Sequence, residues 1–177
     1  DPQDPTSATV PVQDYQATLG QGIRGFRLGV PRSLFSEGEG TDSEVLAALD
    51  AALGVLKHLD AAIIEVDHKA FAMARNANST ITLAEAFAYH EQTLQTRPED
   101  FGNSMRSRLY QGAFLSAADY IQAQRVRSAI TEQVREILTT VDALVMPTSA
   151  RPASTFANFD PEDRHRTPSF TSPFNLT

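Results

Sequence analysis

Three glycines near the start of the chain have the spacing of a dinucleotide-binding fingerprint. In that fingerprint, a motif such as Gly20-x-Gly22-x-x-Gly25 follows a strand and opens a helix, whose free backbone N–H groups bind the pyrophosphate. Here the motif stands before an apolar segment that itself predicts a strand. We therefore interpret the glycines as turn residues and predict no nucleotide or other cofactor.

The residue types that bind metals or attack carbonyl groups lack the spacing that either chemistry needs. No i, i+4 pair and no HExxH motif occurs among the histidines, which are His58, His68, His90 and His165. The sequence contains no Gly-x-Ser-x-Gly nucleophile elbow and no Ser-Ser or Gly-Gly pair. Both lysines, Lys57 and Lys69, are interpreted as solvated cations. These patterns therefore predict no metal site and no serine nucleophile elbow.

Three further titratable residues require separate interpretation. Glu85 and His90 lie about 500° apart around a predicted helix, so they are not expected to form an acid–base dyad. Arg127 falls on the apolar stripe of another predicted helix, where a buried guanidinium needs a partner. We interpret it as half of a structural ion pair, with a substrate contact as the alternative.

Length and composition limit the class of protein. The 177 residues suit one domain, and a net charge of -7 gives no basic surface for nucleic acid. No apolar run approaches the roughly 20 residues that span a bilayer, so no membrane association is predicted. The absence of cysteine excludes disulfides and thiolate metal sites, and a cytoplasmic location is expected.

The periodicity of apolar residues predicts alternating strands and helices. A strand–helix–strand unit at the start predicts a parallel sheet, with a Thr41-x-x-Glu44 capping box opening its helix. A second capping box, Ser116-x-x-Asp119, opens the clearest helix, whereas the 76–82 region is expected to interrupt the helix before it. The fold class is therefore α/β, with strands at about 26–31, 61–66 and 143–147 and helices at about 42–58, 70–95 and 116–140. A shorter helix is expected from Met105 to Gly112.

The body of the predicted domain, residues 23–147, lies between two irregular segments. Residues 1–22 are rich in Pro, Asp, Thr and Gln and are interpreted as an N-terminal arm. Residues 148–177 are rich in Pro, Ser, Thr and Asn and form a C-terminal arm longer than the loops of most compact domains. Such a segment indicates either function or missing structural context, and we favour missing context.

Several segments, taken in order, resemble the amidase signature family of serine amide hydrolases. They are Asp1-Pro2-x-Asp4-Pro5-Thr6-Ser7, Gly25-Phe26-Arg27-Leu28-Gly29-Val30-Pro31-Arg32, Glu85-Ala86-Phe87-Ala88-Tyr89-His90, Gly112 with Tyr120-x-x-Ala123-x-x-x-Arg127, Asp142-Ala143-Leu144-Val145-Met146-Pro147-Thr148, and Phe170-Thr171-Ser172-Pro173-Phe174-Asn175-Leu176-Thr177. The resemblance implies a three-layer α/β/α sandwich and hydrolysis of an amide to a carboxylate plus ammonia or an amine. It implies a Lys and a pair of serines as the catalytic groups, all upstream of the region matched here.

The resemblance also bears on binding residues. It implies that Arg108 stands where glutamine-using relatives hold a substrate carboxylate, and that Thr171 and Asn175 begin a segment close to the active site. The glutaminase subunits of tRNA-dependent amidotransferases carry an Asn-Leu-x-Arg-Tyr-Asp-Gly-like stretch near Ala86 to Gln92, and an acidic residue where this chain has Pro168. Because this sequence lacks both, the resemblance favours a general amidase.

We accordingly expect the middle-to-late portion of an amidase domain, inactive by itself. Its expected partners are the remainder of that domain and, in the intact enzyme, a small amide substrate. Because a partial domain leaves apolar surface open, the isolated chain is expected to self-associate, to swap elements, or to retain contacts from a larger protein. The alternatives are a non-enzymatic α/β interaction module and a truncated pseudoenzyme.

Overall fold

The computed structural model describes residues 3–4, 7–36, 40–67, 71, 73–159 and 170–177. Over these residues the chain forms three strands, β1 (Arg27–Val30), β2 (Ala62–Glu65) and β3 (Ala143–Leu144). Its α-helices are α1 (Arg32–Ser36), α2 (Ser43–His58), α3 (Ala74–Thr96), α4 (Asn103–Gln111), α5 (Ala117–Thr140) and α6 (Ser172–Leu176). Within these ranges, no helix is long and apolar enough to cross a membrane.

The strands form one parallel sheet in the order β2-β1-β3, which confirms the predicted α/β class. The central strand β1 pairs with β2 from Arg27 opposite Ala62 onwards, and with β3 from Leu28 opposite Ala143. β3 is shorter than the predicted 143–147. Beyond Leu144 the Val145 N–H still donates to the Gly29 carbonyl at 2.9 Å, but Pro147 has no N–H with which to continue the ladder.

Helices cover both faces of the sheet, giving the layers of an α/β/α sandwich. On one face, α2 packs through Leu49 and Leu53 against a buried cluster that includes Val30, Phe35 and Phe170. On the other face, α3 and α5 pack along each other, and α6 adds Leu176 to their shared core. Gly29 faces this second layer, where an added Cβ would lie 2.9 Å from the Leu144 side chain.

The first long helix begins one residue later than the predicted capping box. Asp42, not Thr41, is the N-cap of α2, because its Oδ1 accepts a hydrogen bond of 2.8 Å from the Glu44 N–H. The expectation of a Thr41–Glu44 capping box is therefore wrong. Asp and Thr are both good N-cap residues, so local preference alone does not choose between neighbouring candidates.

In the remaining helices, one predicted capping box is confirmed and one predicted break is wrong. The Ser116–Asp119 capping box of α5 is present in full, with the Asp119 N–H donating to Ser116 Oγ at 3.1 Å. The break expected over 76–82 is wrong, since α3 runs uninterrupted through it. Ala77 and Ile81 are buried against α5 there, and this packing outweighs the low intrinsic helix propensity.

Arg127 is exposed, so the expectation of a buried, ion-paired guanidinium is wrong. Its neighbours on the same stripe of α5, Ala123 and Ile130, are buried as predicted. A long arginine side chain can leave an apolar stripe and hold its charged end in water, which removes the need for a partner.

The glycines of the apparent nucleotide fingerprint are turn residues, as predicted. Gly20, Gly22 and Gly25 have φ values of 88°, 73° and 79°, in the left-handed region that glycine tolerates best. The Gly25 N–H donates to the Asp60 carbonyl at 2.8 Å, which ties the turn before β1 to the one before β2. The three glycines thus form the turns that precede β1.

Gly112 is required by close packing. It follows α4 directly and has helical φ and ψ angles of −61° and −30°. A Cβ at this position would lie 2.2 Å from the Leu83 carbonyl oxygen and 2.5 Å from the Phe87 Cβ. The short helix predicted from Met105 to Gly112 is confirmed, and its final glycine lets the backbone lie directly against α3.

Candidate functional site

The carboxyl edge of the sheet between β1 and β3 is the candidate site. The chain leaves β1 towards β2 on one side and returns to β3 on the other, so a topological switch point falls between β1 and β3. In open parallel sheets, ligands bind in the crevice outside the carboxyl ends of the strands at such a point. The segments that follow β1 and β3, together with the last residues of the chain, therefore form the candidate site.

Contacts at Phe170 bring the end of the chain to this edge. Its N–H donates to the Thr148 carbonyl at 3.2 Å, just beyond β3. Its ring packs edge-on against Phe35, just beyond β1, with 5.9 Å between the ring centroids. Phe35 and Phe170 are both buried, so the connection is part of the core.

Thr171 and Asn175, which the resemblance singled out, lie on one turn at the start of α6. The Asn175 N–H donates to the Thr171 carbonyl at 3.1 Å. Thr171 is half-buried and Asn175 is exposed. Ser172 between them is 9% exposed and is the buried polar residue of the described part of the chain. The structure therefore places a hydroxyl and a carboxamide group within one helical turn at the carboxyl edge.

Arg108 lies on α4, a different element from the one that carries Thr171 and Asn175. The end of α4 packs along α3 between Leu83, which Gly112 approaches, and Leu94, whose carbonyl accepts from the Tyr110 hydroxyl at 3.3 Å. α6 packs nearer the start of α3, where Leu176 shares a cluster with Ala77. Arg108 and the α6 turn therefore belong to two elements that contact successive stretches of α3.

A cleft of about 290 Å³ lies beside the sheet on its α2 side. Its polar lining consists of Arg32, Asp50, Lys57 and Glu65. Arg32 and Asp50 form an ion pair, with 2.5 Å between Nη2 and Oδ1. The lining charges of opposite sign compensate each other, and no hydroxyl or thiol nucleophile stands beside a base among the lining residues. The cleft therefore lacks the groups for acyl transfer.

Tyr120 is the partner of Glu85, and the sequence analysis missed this pair. The Tyr120 hydroxyl donates to Glu85 Oε1 at 2.8 Å and accepts from Gln124 Nε2 at 2.8 Å. This network connects α3 to α5 across the second layer. Glu85 and Tyr120 both occur in segments that carry the family resemblance. This shared occurrence was the feature of the sequence that could have indicated the pair.

Replacing Tyr120 with phenylalanine should lower the free energy of unfolding by about 1 kcal/mol, because a half-buried hydrogen bond is lost while the ring remains. Thermal and urea unfolding of the purified chain would measure the change. Tyr89→Phe is the matched control, since this tyrosine is 83% exposed and should unfold as the unmodified chain does. Equal destabilisation by both variants would contradict the role of the network.

Hydrogen bonds that stabilise the fold explain the lowered pKa values of two carboxylates. Arg27 and Asp142 pair at the start of β1 and β3, with 2.8 Å between Nη2 and Oδ1. Hydrogen bonds from the Arg27 side chain, and then from its backbone N–H, lower the pKa of Asp142, and the pair raises the pKa of Arg27. Hydrogen bonds from Ser116 lower the pKa of Asp119 in its capping box. Neither carboxylate is tuned for acid–base catalysis by burial.

The Arg27–Asp142 pair should make part of the stability depend on acid pH. Because the folded-state pKa of Asp142 is lowered from 3.8, its contribution is present above that value and disappears as the pH falls through the folded-state pKa. Asp142→Asn should therefore give a shallower loss of stability below about pH 4. Arg27→Gln should flatten the profile less, because its backbone N–H still donates to Asp142. Denaturant titrations between pH 2 and 7 would test this, and parallel profiles for all three proteins would contradict it.

The described residues contain no group of three or more His, Asp or Glu side chains placed to hold a metal. His90 packs instead between the rings of Tyr89 and Phe101, at centroid distances of 4.8 and 5.3 Å. His68, His165 and Lys69 lie outside the described residues.

Comparison with known proteins gives one consistent result. A family model described as "Amidase" matches residues 1–177. An "Amidase" of Pseudomonas putida is 39% identical over 154 residues, covering 87% of this chain and 33% of that protein. A glutamyl-tRNA(Gln) amidotransferase subunit of Myxococcus xanthus is 36% identical, covering 99% of this chain and 41% of that protein.

A solved structure shares the fold described above. The chain superposes on a structure titled "Crystal structure of amidase" with a TM-score of 0.74 and 28% identity, covering 88% of this chain and 37% of that one. The chain thus spans between 33% and 41% of the length of the two curated relatives.

Proposed function

The chain belongs to the amidase signature family, and from this premise we propose that it is part of an enzyme that hydrolyses a carboxamide C–N bond. The products are a carboxylate and either ammonia or an amine. The observation that carries the proposal is the match of the family model to all of residues 1–177. A cytoplasmic location is part of the same proposal.

We infer that the catalytic groups lie in the remainder of the enzyme. Hydrolysis requires a nucleophile that attacks the carbonyl carbon, a base that takes its proton, an acid that protonates the leaving nitrogen, and donors for the oxyanion. The family supplies these with a Lys, two serines and a Gly/Ser-rich loop. This sequence has no Ser-Ser or Gly-Gly pair, and its relatives are more than twice its length. The chain alone is therefore inactive in this proposal.

The carboxyl edge then serves as one wall of the substrate pocket. Thr171 and Asn175 offer a hydroxyl and a carboxamide, which can accept and donate hydrogen bonds to an amide without attacking it. Arg108 would hold a substrate carboxylate at a second point, further along α3. Sheet, helices and core keep these groups in fixed relative positions.

A glutaminase subunit is the second candidate function. The Myxococcus xanthus relative, 36% identical over nearly the whole chain, favours it. The missing Asn-Leu-x-Arg-Tyr-Asp-Gly-like stretch near Ala86 to Gln92 opposes it, as does Pro168, which lies outside the described residues. We place the general amidase first.

The proposal is tested by supplying the missing part of the domain. The chain would be produced alone and together with the two thirds of the Pseudomonas putida amidase that lie outside its match. Ammonia release would be measured with short aliphatic amides, aryl amides and glutamine. We expect no release by the chain alone and release by the assembled pair. Glutamine as the sole substrate would favour the glutaminase.

Two results would contradict the proposal. Hydrolysis by the chain alone would place the nucleophile within it. An assembled pair that hydrolyses no amide would favour the interaction module or the pseudoenzyme.

A further inference from the structure

We propose that the cleft beside α2 binds a small dipolar molecule, one that carries an amine and a carboxylate at opposite ends of an apolar chain. The cleft lies on the α2 face of the sheet, away from the carboxyl edge between β1 and β3. The inference therefore does not depend on the proposed function. It concerns binding alone, and no covalent bond forms or breaks.

Gly54 creates the space in the middle of the cleft. It lies within α2, where glycine is a poor helix former, and a Cβ built on it meets no atom within 4 Å. The packing of the helix therefore does not require a glycine at this position. Beside it, the buried Leu53 and the half-buried Ile63 give the cleft an apolar floor. An apolar segment of a ligand can lie against this floor without displacing a side chain.

The end of the cleft at the carboxyl ends of β1 and β2 has an excess of negative charge. Glu65 is opposite Val30, the last residue of β1, and Arg32 follows two residues later. Arg32 is paired with Asp50, so its charge is already compensated. Glu65 is exposed and forms no ion pair within the described ranges. The amine of the ligand binds at this end.

The opposite end of the cleft carries a positive charge. Asp50, Gly54 and Lys57 are spaced i, i+4 and i+7, so they lie along one face of α2. Lys57 is about 10 Å from Asp50 along the helix axis, at 1.5 Å per residue. It is exposed and, among the residues that the structure describes, has no ion-pair partner. The carboxylate of the ligand binds to its ammonium group.

Charge and length together define the ligand. Its amine and carboxylate are about 10 Å apart, which is the separation of the two charged ends of the cleft along α2. ω-Aminooctanoate is a suitable probe, because its extended methylene chain is about as long as this separation. Both charged contacts are exposed to solvent and weakened by salt. We therefore expect a dissociation constant on the order of 1 mM at low ionic strength.

An NMR titration of the 177-residue chain measures this binding and locates it. Chemical-shift changes should concentrate in the amides of residues 53–57 and 63–65. Octanoate and octylamine, which each keep one charged end, should bind about threefold more weakly than ω-aminooctanoate. Glycine has both charges without the apolar chain and should not bind in the cleft. Shift changes outside these amides, or equal affinity for all the ligands, would overturn the inference.

Two charge-removing substitutions test the direction of the ligand. Glu65→Gln should weaken binding of ω-aminooctanoate about threefold and leave octanoate unchanged, because octanoate has no amine. Lys57→Gln should weaken binding of ω-aminooctanoate by a similar factor and leave octylamine unchanged, because octylamine has no carboxylate. A reversed pattern, or affinities that neither substitution alters, would contradict the proposed direction.

Filling the cleft tests its location. Gly54→Leu places a side chain in the open space and should weaken binding tenfold or more, while leucine preserves the helix. Ala52→Leu is the matched control, since this exposed alanine lies about 200° around α2 from Gly54. Its affinity should equal that of the unmodified chain, and circular dichroism would show that both variants are folded. Equal affinities for the two variants would overturn the inference.

Discussion

Replacing Gly112 with alanine should lower the free energy of unfolding by about 3 kcal/mol. The new methyl group would lie 2.2 Å from the Leu83 carbonyl oxygen, which belongs to the backbone of α3 and cannot rotate away. Either α4 and its following turn must move off α3, or α3 must bend. Both responses disturb the packing of α4, which carries Arg108, on α3.

Thermal unfolding followed by circular dichroism would measure this effect as a midpoint lowered by roughly 6–12 °C. Gly54→Ala is the matched control, because Gly54 lies within α2 with no atom within 4 Å of the added Cβ. That variant should gain about 0.5–1 kcal/mol, since alanine is the better helix former. If Gly112→Ala lowers the free energy of unfolding and Gly54→Ala raises it, the difference must come from the surroundings of each glycine, because the substitution is the same. A Gly112→Ala midpoint equal to that of the unmodified chain would contradict the close approach.

Phe35→Ala should cost about 3–5 kcal/mol and should loosen the carboxyl edge of the sheet. Phe35 is 3% exposed, and its ring holds Phe170 at 5.9 Å, next to the turn that carries Thr171. Loss of the ring leaves a cavity between α1, α2 and the end of the chain. The variant should therefore also increase hydrogen exchange in residues 170–177.

Phe156→Ala removes the same number of atoms from a fully exposed position and should change stability by less than about 0.5 kcal/mol. Urea titration and hydrogen exchange of the two variants would be compared side by side. If both variants behaved alike, the Phe35–Phe170 contact would not hold the carboxyl edge in place.

The strand–helix–strand unit could be predicted because its signals are local. Pro31 ends β1, leucines at helical spacing mark α2, and the apolar residues of β2 follow the loop. The capping box at Ser116 is equally local, since both partners lie within one turn. Of the two predicted capping boxes, the one at Thr41 was wrong, because Thr41 and Asp42 are neighbours of similar capping strength.

The features that could not be predicted depend on contacts between residues that are distant in the sequence. Glu85 and Tyr120 are 35 residues apart, and no spacing rule connects them. The continuity of α3 through residues 76–82 comes from its packing on α5, which overrides intrinsic propensity. Gly112 is required because the Leu83 carbonyl lies against it, and this contact can be recognised only in the folded structure. The three candidate site residues came from family resemblance, and physical reasoning from the sequence did not identify them independently.

The pairing of β1 with β3 has a consequence for the order of folding. Arg27 and Asp142 are 115 residues apart, so closing this ladder costs about 1 kcal/mol more chain entropy than pairing β1 with the nearby β2. We expect β1, α2 and β2 to form early and β3, with the Phe170–Thr177 segment docked beyond it, to join last. Contacts that form last tend to contribute little to the folding rate and much to the rate of unfolding. The edge that carries the candidate site would then be the slowest part of this chain to assemble.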